Sequence, residues 1–372
     1  MKRHIVIVRL FDSGGMNTHF KTLVRYLGKE NMILVLENQK QIGFLKSIVT
    51  GAPVRKIRIL PDLHGFAHLS YYFTTNIKEF FLIVRSIFMI LLLSIGNLNA
   101  DITISVAEPE KYLYLLWIPF LKVTYILHSE PKTVFTRFTT FTCNCRLGKK
   151  RRIVTVSNAM RHAICSNWHI AAGKQDFVKL IYNCAEETGV DRDDSSPLSE
   201  KKAVVTTMGH VDERKNPETW LKVAIAVTAN HPDTEFLWLG NGPLLSDFEK
   251  ATQTISCVSF PGAVENVVPY LKKSAIYYQP SLTEPHGIAV LEAMYNGLPC
   301  VVADTGGLPE SVENGYNGIV VDPTNITENV NALKTLLDDV ALRKSFGANG
   351  VKRYLALFSY DRFKEKMDEI YA

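Results

Sequence analysis

Two glycine signatures are missing from this chain. No Gly-x-Gly-x-x-Gly occupies a strand–helix turn, and no Gly-x4-Gly-Lys-Ser/Thr occurs. Their absence argues against dinucleotide binding and against P-loop triphosphate binding. A membrane-length apolar run is missing too. The most apolar stretch, Phe80 to Ile95, carries Arg85 inside it and falls short of the roughly 20 apolar residues that span a bilayer. It leads into a strand-like segment at 101–106, so residues 80–95 read either as a buried helix or as a helix lying in a membrane interface. The opening Met1-Lys-Arg-His-Ile-Val-Ile-Val reads as a short strand, with no apolar segment of signal-peptide length. The six cysteines, at 143, 145, 165, 184, 257 and 300, are too scattered for a disulfide framework. Free thiols in a reducing, cytoplasmic setting are expected. No metal-ligand set is expected either. Cys143-Asn-Cys145 is isolated, and Asp191-x-Asp193 lies in a polar stretch rather than at a rigid strand end.

What is present is an ordinary globular composition, 47% hydrophobic and 21% charged over 372 residues, long enough for two domains. The net charge of +5 hides an asymmetry. Residues 1–185 hold 25 Lys/Arg against 10 Asp/Glu, and the remainder holds 17 against 27. One half meets an anionic partner, or the charges complement one another across a domain interface. The basic residues are not interleaved with an obvious aromatic platform, which argues against nucleic acid.

The pattern along the chain is strand, helix, strand. Apolar runs at 5–10, 31–37, 54–60, 101–106, 123–128, 152–157 and 179–183 alternate with helix-compatible segments. Continuous apolar strands of this kind fit a buried parallel sheet. Residues 185–202 are polar and apolar-poor, as linkers are. The pattern then restarts, with strands at 203–208, 235–239, 255–260, 275–279, 299–303 and 318–321, and helices at 217–229, near 266–273 and from about 326 onward. The expected architecture is α/β: a first Rossmann-like domain over 1–185, a linker over 186–202 and a second Rossmann-like domain over 203–357, with a cleft between the domains.

Chemistry concentrates in Ser281-Leu-Thr-Glu-Pro-His-Gly-Ile-Ala-Val-Leu-Glu292. A strand precedes it, Pro285 and Gly287 break the backbone, and a helix follows. Glu284 therefore stands at the carboxyl end of a strand, where open α/β sheets bind ligands, and Glu292 lies inside the helix. The helix start offers N–H groups to an anion. This arrangement suits a ligand with phosphate in the middle and hydroxyls at both ends, as in a nucleotide sugar. Gly14-Gly15, after the first strand, is either a plain turn or a close approach to phosphate. Arg214 and Lys215 are either a surface charge pair or the cations of a diphosphate site. His128 ends a strand and is either structural or functional.

The stretch Glu284-Pro-His-Gly-Ile-Ala-Val-Leu-Glu292-Ala-Met, together with Thr305-Gly-Gly-Leu-Pro-Glu-Ser-Val-Glu-Asn-Gly-Tyr-Asn-Gly318, resembles a retaining glycosyltransferase of the GT-B fold, glycosyltransferase family 4. Phe260-Pro-Gly-Ala263, Gly240-Asn-Gly and Val156-Ser157 add to the likeness. It covers about 203–372 well and the first domain only in outline.

The resemblance implies roles. Glu284 and the backbone N–H groups around Gly287, Ile288 and Ala289 lie by the donor sugar and phosphate. Glu292 holds the ribose, and Lys215 and Gly15 attend the diphosphate. His128 lies near the sugar, and Ala263 passes the base. One departure stands out: His210 occupies a position where the family has arginine, leaving Arg214 as a substitute charge. The implied enzyme is metal-independent and moves a hexose from a nucleotide sugar, UDP-linked by expectation. Its acceptor is a saccharide or a polyprenyl diphosphate-linked sugar, at the inner face of the cell membrane. The nucleotide sugar is a substrate and no cofactor is implied. The helix 358–372 is expected to cross back onto the first domain. A nucleotide-sugar 2-epimerase of the same fold and a non-catalytic binding scaffold are the alternatives.

Overall fold

A computed structural model describes residues 3–8, 15–36, 41–42, 45, 56–59, 100–106, 113, 115–118, 120–129, 136–187 and 203–372. Gly14, the apolar stretch 80–95, Asp191-x-Asp193 and residues 188–202 of the expected linker lie outside these. The chain divides into two compact units, Met1–Ile181 and Tyr182–Ala372.

The first unit is a seven-stranded parallel sheet. Its strands are β1 (His4–Val8), β2 (Met32–Leu36), β3 (Lys56–Ile59), β4 (Asp101–Val106), β5 (Lys122–Leu127), β6 (Arg151–Thr155) and β7 (Val178–Leu180). They lie in the order β3-β2-β1-β4-β5-β6-β7. Strand order reverses between β1 and β4. The apolar runs became strands because both faces are covered: Ile5, Val6, Ile7, Ile102 and Ile104 are fully buried.

The second unit repeats the plan with six parallel strands: β8 (Val204–Met208), β9 (Glu235–Leu239), β10 (Val258–Gly262), β11 (Ile276–Gln279), β12 (Cys300–Ala303) and β13 (Gly318–Val321). Their order is β10-β9-β8-β11-β12-β13, reversing between β8 and β11. Side chains alternate between two cores. Tyr277, Cys300 and Val302 pack with Val290, Leu291 and Met294 on one face. Ile276, Tyr278 and Val301 pack with Trp220, Val223 and Leu333 on the other. Two elements differ from the sequence expectation. β10 starts three residues later than the apolar run at 255, because Ile255 N and Val258 N are spent on turn bonds to Thr252 O and Ile255 O. The helix expected near 266–273 is only Val268–Leu271.

The unit boundary falls at Ile181 because the next residues are tied into the second core. Tyr182 Oη donates to Glu310 Oε2 (2.9 Å), and Ala185 N donates to Tyr354 Oη (3.2 Å). Three helices close the chain, Ile326–Asp338, Val340–Leu357 and Tyr360–Tyr371, each capped by a side chain: Asn325, Asp339 and Ser359.

Helix Val340–Leu357 packs on the loop after Ile288–Tyr295 through two glycines of different meaning. A Cβ on Gly347 would stand 2.0 Å from Gly297 O, whereas one on Gly350 would meet nothing nearer than 3.8 Å. Helix propensity favours alanine at both positions by about 1 kcal/mol, but overpacking costs about 1–3 kcal/mol. Gly350→Ala is therefore expected to raise the urea midpoint slightly, and Gly347→Ala to lower stability by about 1–2 kcal/mol. Equal midpoints for the two variants would show that the close approach is not a constraint.

Candidate functional site

The second sheet reverses order between β8 and β11, and ligands of open α/β sheets sit beyond the strand ends at such a point. The two loops leaving it are Gly209–Asn216 and Pro280–Gly287. The first is shaped by its own polar residues. Asp212 Oδ1 accepts from Lys215 N (3.2 Å), starting the short 3₁₀ turn Glu213–Lys215. Asn216, in the left-handed conformation (φ 57°), caps the helix Pro217–Thr228 through Thr219 N. The loops are joined by Leu282 N donating to Arg214 O (2.8 Å).

This framework brings Lys215 and Glu284 together in an ion pair. Their side chains are only 14% and 13% exposed, so water screens the pair weakly. Glu284 Oε2 takes two donors, Lys215 Nζ and Gln279 Nε2 at 2.9 Å. Gln279 is itself fully buried. Its Oε1 accepts from Tyr277 Oη (2.6 Å), and its Nε2 also reaches Ser281 Oγ (3.2 Å). Glu284 Oε1 receives no hydrogen bond from the described residues. One carboxylate oxygen is thus held by the protein and the other is open to a hydroxyl donor.

The backbone of Glu284 is held from beneath. Gly307 N donates to Glu284 O (2.9 Å), and Thr305 Oγ1 donates to Ser281 O (2.9 Å). A Cβ on Gly306 would stand 2.0 Å from Glu284 O, which explains why the Gly-Gly segment follows β12. Gly287 has φ 89° and precedes the helix Ile288–Tyr295, whose first turn carries Ile288 and Ala289, both half-buried. Glu292 is half-buried in the same helix. Ala263 follows β10, is exposed, and donates its N–H to Asn241 Oδ1 (3.0 Å). His210 is half-buried in the loop after β8. Arg214 is 61% exposed and pairs with Asp212 Oδ2 (2.7 Å), outside the Lys215–Glu284 pair. Among the described residues, no three His, Cys, Asp or Glu side chains group to hold a metal ion.

In the first unit, His128 follows β5 at its carboxyl end. Its Nε2 lies 2.9 Å from Ser105 Oγ, at the end of β4. The ring of His19, in the helix Gly15–Leu27, meets it edge-on at 4.3 Å. Desolvation, and secondarily His19, hold the His128 pKa well below the ordinary value of 6.5. It is thus a neutral group at physiological pH, suited to hydrogen bonding rather than to charge. Gly15 is the first residue of its helix, and Gly14 lies outside the described residues.

Sequence reasoning singled out Lys215 and Glu284 but missed Gln279, His19 and Ser105. Gln279 had a signal: an amide in the apolar run Ile276-Tyr-Tyr-Gln279 has to find partners once buried. His19 and Ser105 had none, because only the sheet order brings them to His128. Ser157, part of the family likeness, caps the helix Asn158–Asn167 through Met160 N.

His286, two residues after Glu284, is 1% exposed. It lies against Tyr182 (5.1 Å, interplanar 17°) and Phe358 (5.6 Å), with neither ring nitrogen hydrogen-bonded among the described residues. Burial pushes its pKa down to about 3 from the ordinary 6.5. The folded state therefore holds it neutral while the unfolded chain takes up a proton. Stability is fully present above 6.5 and is lost as pH falls towards 3, by at most about 1.4 kcal/mol per pH unit. His286→Phe keeps the ring stack and is expected to remove this share of the acid sensitivity. Urea titrations across that range test it: parallel loss in parent and variant would rule the assignment out.

Residues 191–353 match the family model for glycosyl transferases group 1. A 154-residue segment is 30% identical to the UDP-Gal:alpha-D-GlcNAc-diphosphoundecaprenol alpha-1,3-galactosyltransferase of Escherichia coli, covering 39% of each chain. Another, of 175 residues, is 29% identical to the alpha-D-kanosaminyltransferase of Streptomyces kanamyceticus, covering 46% of this chain and 45% of that one. The match thus spans less than half the length of these relatives. Anabaena HepE, solved in complex with UDP, superposes over 98% of both chains with TM-score 0.75 at 17% identity. The chain has the GT-B glycosyltransferase fold, and its segment 191–353 matches the glycosyl transferases group 1 family model.

Proposed function

We propose that the protein is a retaining glycosyltransferase that moves a hexose from a UDP-sugar to a saccharide or polyprenyl diphosphate-linked acceptor. The observation that carries this reading is the half-satisfied carboxylate of Glu284 beside Lys215 at the sheet's switch point. The open Glu284 oxygen faces a sugar hydroxyl. Glu292, in the helix, takes the ribose. Lys215 and the N–H groups after Gly287 take the diphosphate. Ala263 passes the base, Gly15 and His128 enter through the family resemblance alone, and His210 stands where the family has arginine. The E. coli relative's name, with its UDP-galactose donor and diphosphoundecaprenol acceptor, supports this donor and acceptor class.

In the reaction, the bond from the sugar's anomeric carbon to the diphosphate oxygen breaks. A bond to the acceptor oxygen forms on the same face, and the acceptor's proton passes to the departing phosphate. Charge grows on that phosphate, and preorganised cations and N–H groups stabilise it. In this reading Lys215 supplies the cation, with Arg214 nearby, and no metal is required. Glu284 positions the sugar. The basic first unit takes the anionic acceptor at the inner face of the membrane. Among the described residues, no helix is long and apolar enough to cross a membrane.

A panel of UDP-, GDP- and ADP-sugars tests the reading by thermal shift and turnover. A UDP-sugar is expected to raise the melting temperature and be consumed with retained configuration when an acceptor is present. Lys215→Ala and Glu284→Ala are each expected to lower turnover by about 100–1000-fold. Undiminished transfer by both variants would end the site assignment. Donor rearrangement without acceptor would point to an epimerase, and donor binding with no turnover to a scaffold.

A further inference from the structure

The first unit carries a surface with no part in the chemistry above. Trp117, Phe120 and Phe141 are 39%, 49% and 57% exposed, unusual for rings of this size standing close together. Trp117 and Phe141 stack at 5.7 Å. Phe141 shares one exposed face of the helix Thr136–Arg146 with Arg137 and Cys145. Beyond that helix the chain turns through Lys149 and Lys150, both exposed, into β6. Lys122, also exposed, opens β5 alongside, and Val123 N is bonded to Lys150 O (2.8 Å). Residues 131–175 contain nine Lys/Arg and not one Asp or Glu.

The surface lies at the amino ends of β5 and β6. His128 stands at the other end of β5, about 20 Å away for a strand of this length. A flat partner held at the amino ends leaves the strands' ligand-binding edge uncovered.

The chemistry selects among partners. A second copy of the chain would bring this basic surface against itself, which like charge opposes. Single-stranded nucleic acid needs free aromatic faces for its bases. Here one face of Trp117 is covered by Phe141, and the Arg146 guanidinium lies 5.2 Å from the ring centroid. Amphipathic rings beside cations suit the headgroup layer of a bilayer bearing negative charge.

We propose that this aromatic and cationic surface docks the protein on an anionic lipid bilayer, with Trp117 and Phe141 entering the headgroup layer and Lys149 and Lys150 facing the lipid phosphates. The assignment places the membrane-side reading above on a defined surface, and its test does not depend on donor or acceptor identity.

Sedimentation of the full chain with vesicles tests it. Binding is expected to phosphatidylcholine vesicles containing phosphatidylglycerol and not to phosphatidylcholine alone, and to weaken at high salt. Each basic residue at the surface contributes about fivefold in partitioning, so Lys149→Glu with Lys150→Glu is expected to abolish sedimentation. Phe141→Ser removes the most exposed ring without touching the core and is expected to weaken binding about tenfold. Thermal unfolding and UDP binding, measured beside, are expected to match the parent. Equal recovery with neutral and anionic vesicles would overturn the proposal. So would undiminished binding by both variants, or ultracentrifugation showing that the surface mediates self-association instead.

Discussion

The second unit is arranged around two opposite charges largely removed from water. At 14% and 13% exposure neither Lys215 nor Glu284 is fully solvated, and each offsets the other's loss of water. Each therefore requires the other, and the surrounding loops are the means of holding them. Asp212 starts the turn that presents the lysine. Gln279, locked by Tyr277 and Ser281, fixes one glutamate oxygen. The Gly-Gly segment comes close enough to bond the glutamate's backbone. The result is a carboxylate with one committed oxygen and one available oxygen. A preorganised group of this kind need not reorganise when a ligand arrives.

The same logic governs the neutral imidazoles. His286 sits among aromatic rings with no polar partner among the described residues, and His128 is crowded by His19 and bonded to Ser105. Both are pushed towards the neutral form by burial. They are nevertheless different objects. His286 lies in the packing that fixes the loop of Glu284. His128 stands at a strand end, where open sheets meet ligands.

Much of the fold was legible in the sequence. The continuous apolar runs from Ile5 to Ile181 and from Val204 to Val321 correspond to the thirteen parallel strands among the described residues, because a strand buried on both faces has no polar side to obscure its pattern. The helices read from 217 and from about 326 start at Pro217 and Ile326, where Asn216 and Asn325 cap them. Where local bonds outcompeted pattern, the reading slipped. Turns took up the residues before β10, and the end of the first unit moved to Ile181 once Tyr182 and Ala185 found partners in the second core.

Alone, the sequence determined two βαβ series, the strand–loop–helix around Glu284 and the cation source at 214–215. Each of these is set by neighbours within a few residues. Only the tertiary structure decided which groups meet. Lys215 reaches Glu284 across 69 residues because β8 and β11 are adjacent at the point where strand order reverses. It separated Lys215 from Arg214, which pairs with Asp212 at the surface. It also brought Trp117 onto Phe141 beside an acid-free stretch. Strand order is a non-local property: long crossover connections set it, and no periodicity in the chain records which strands lie side by side.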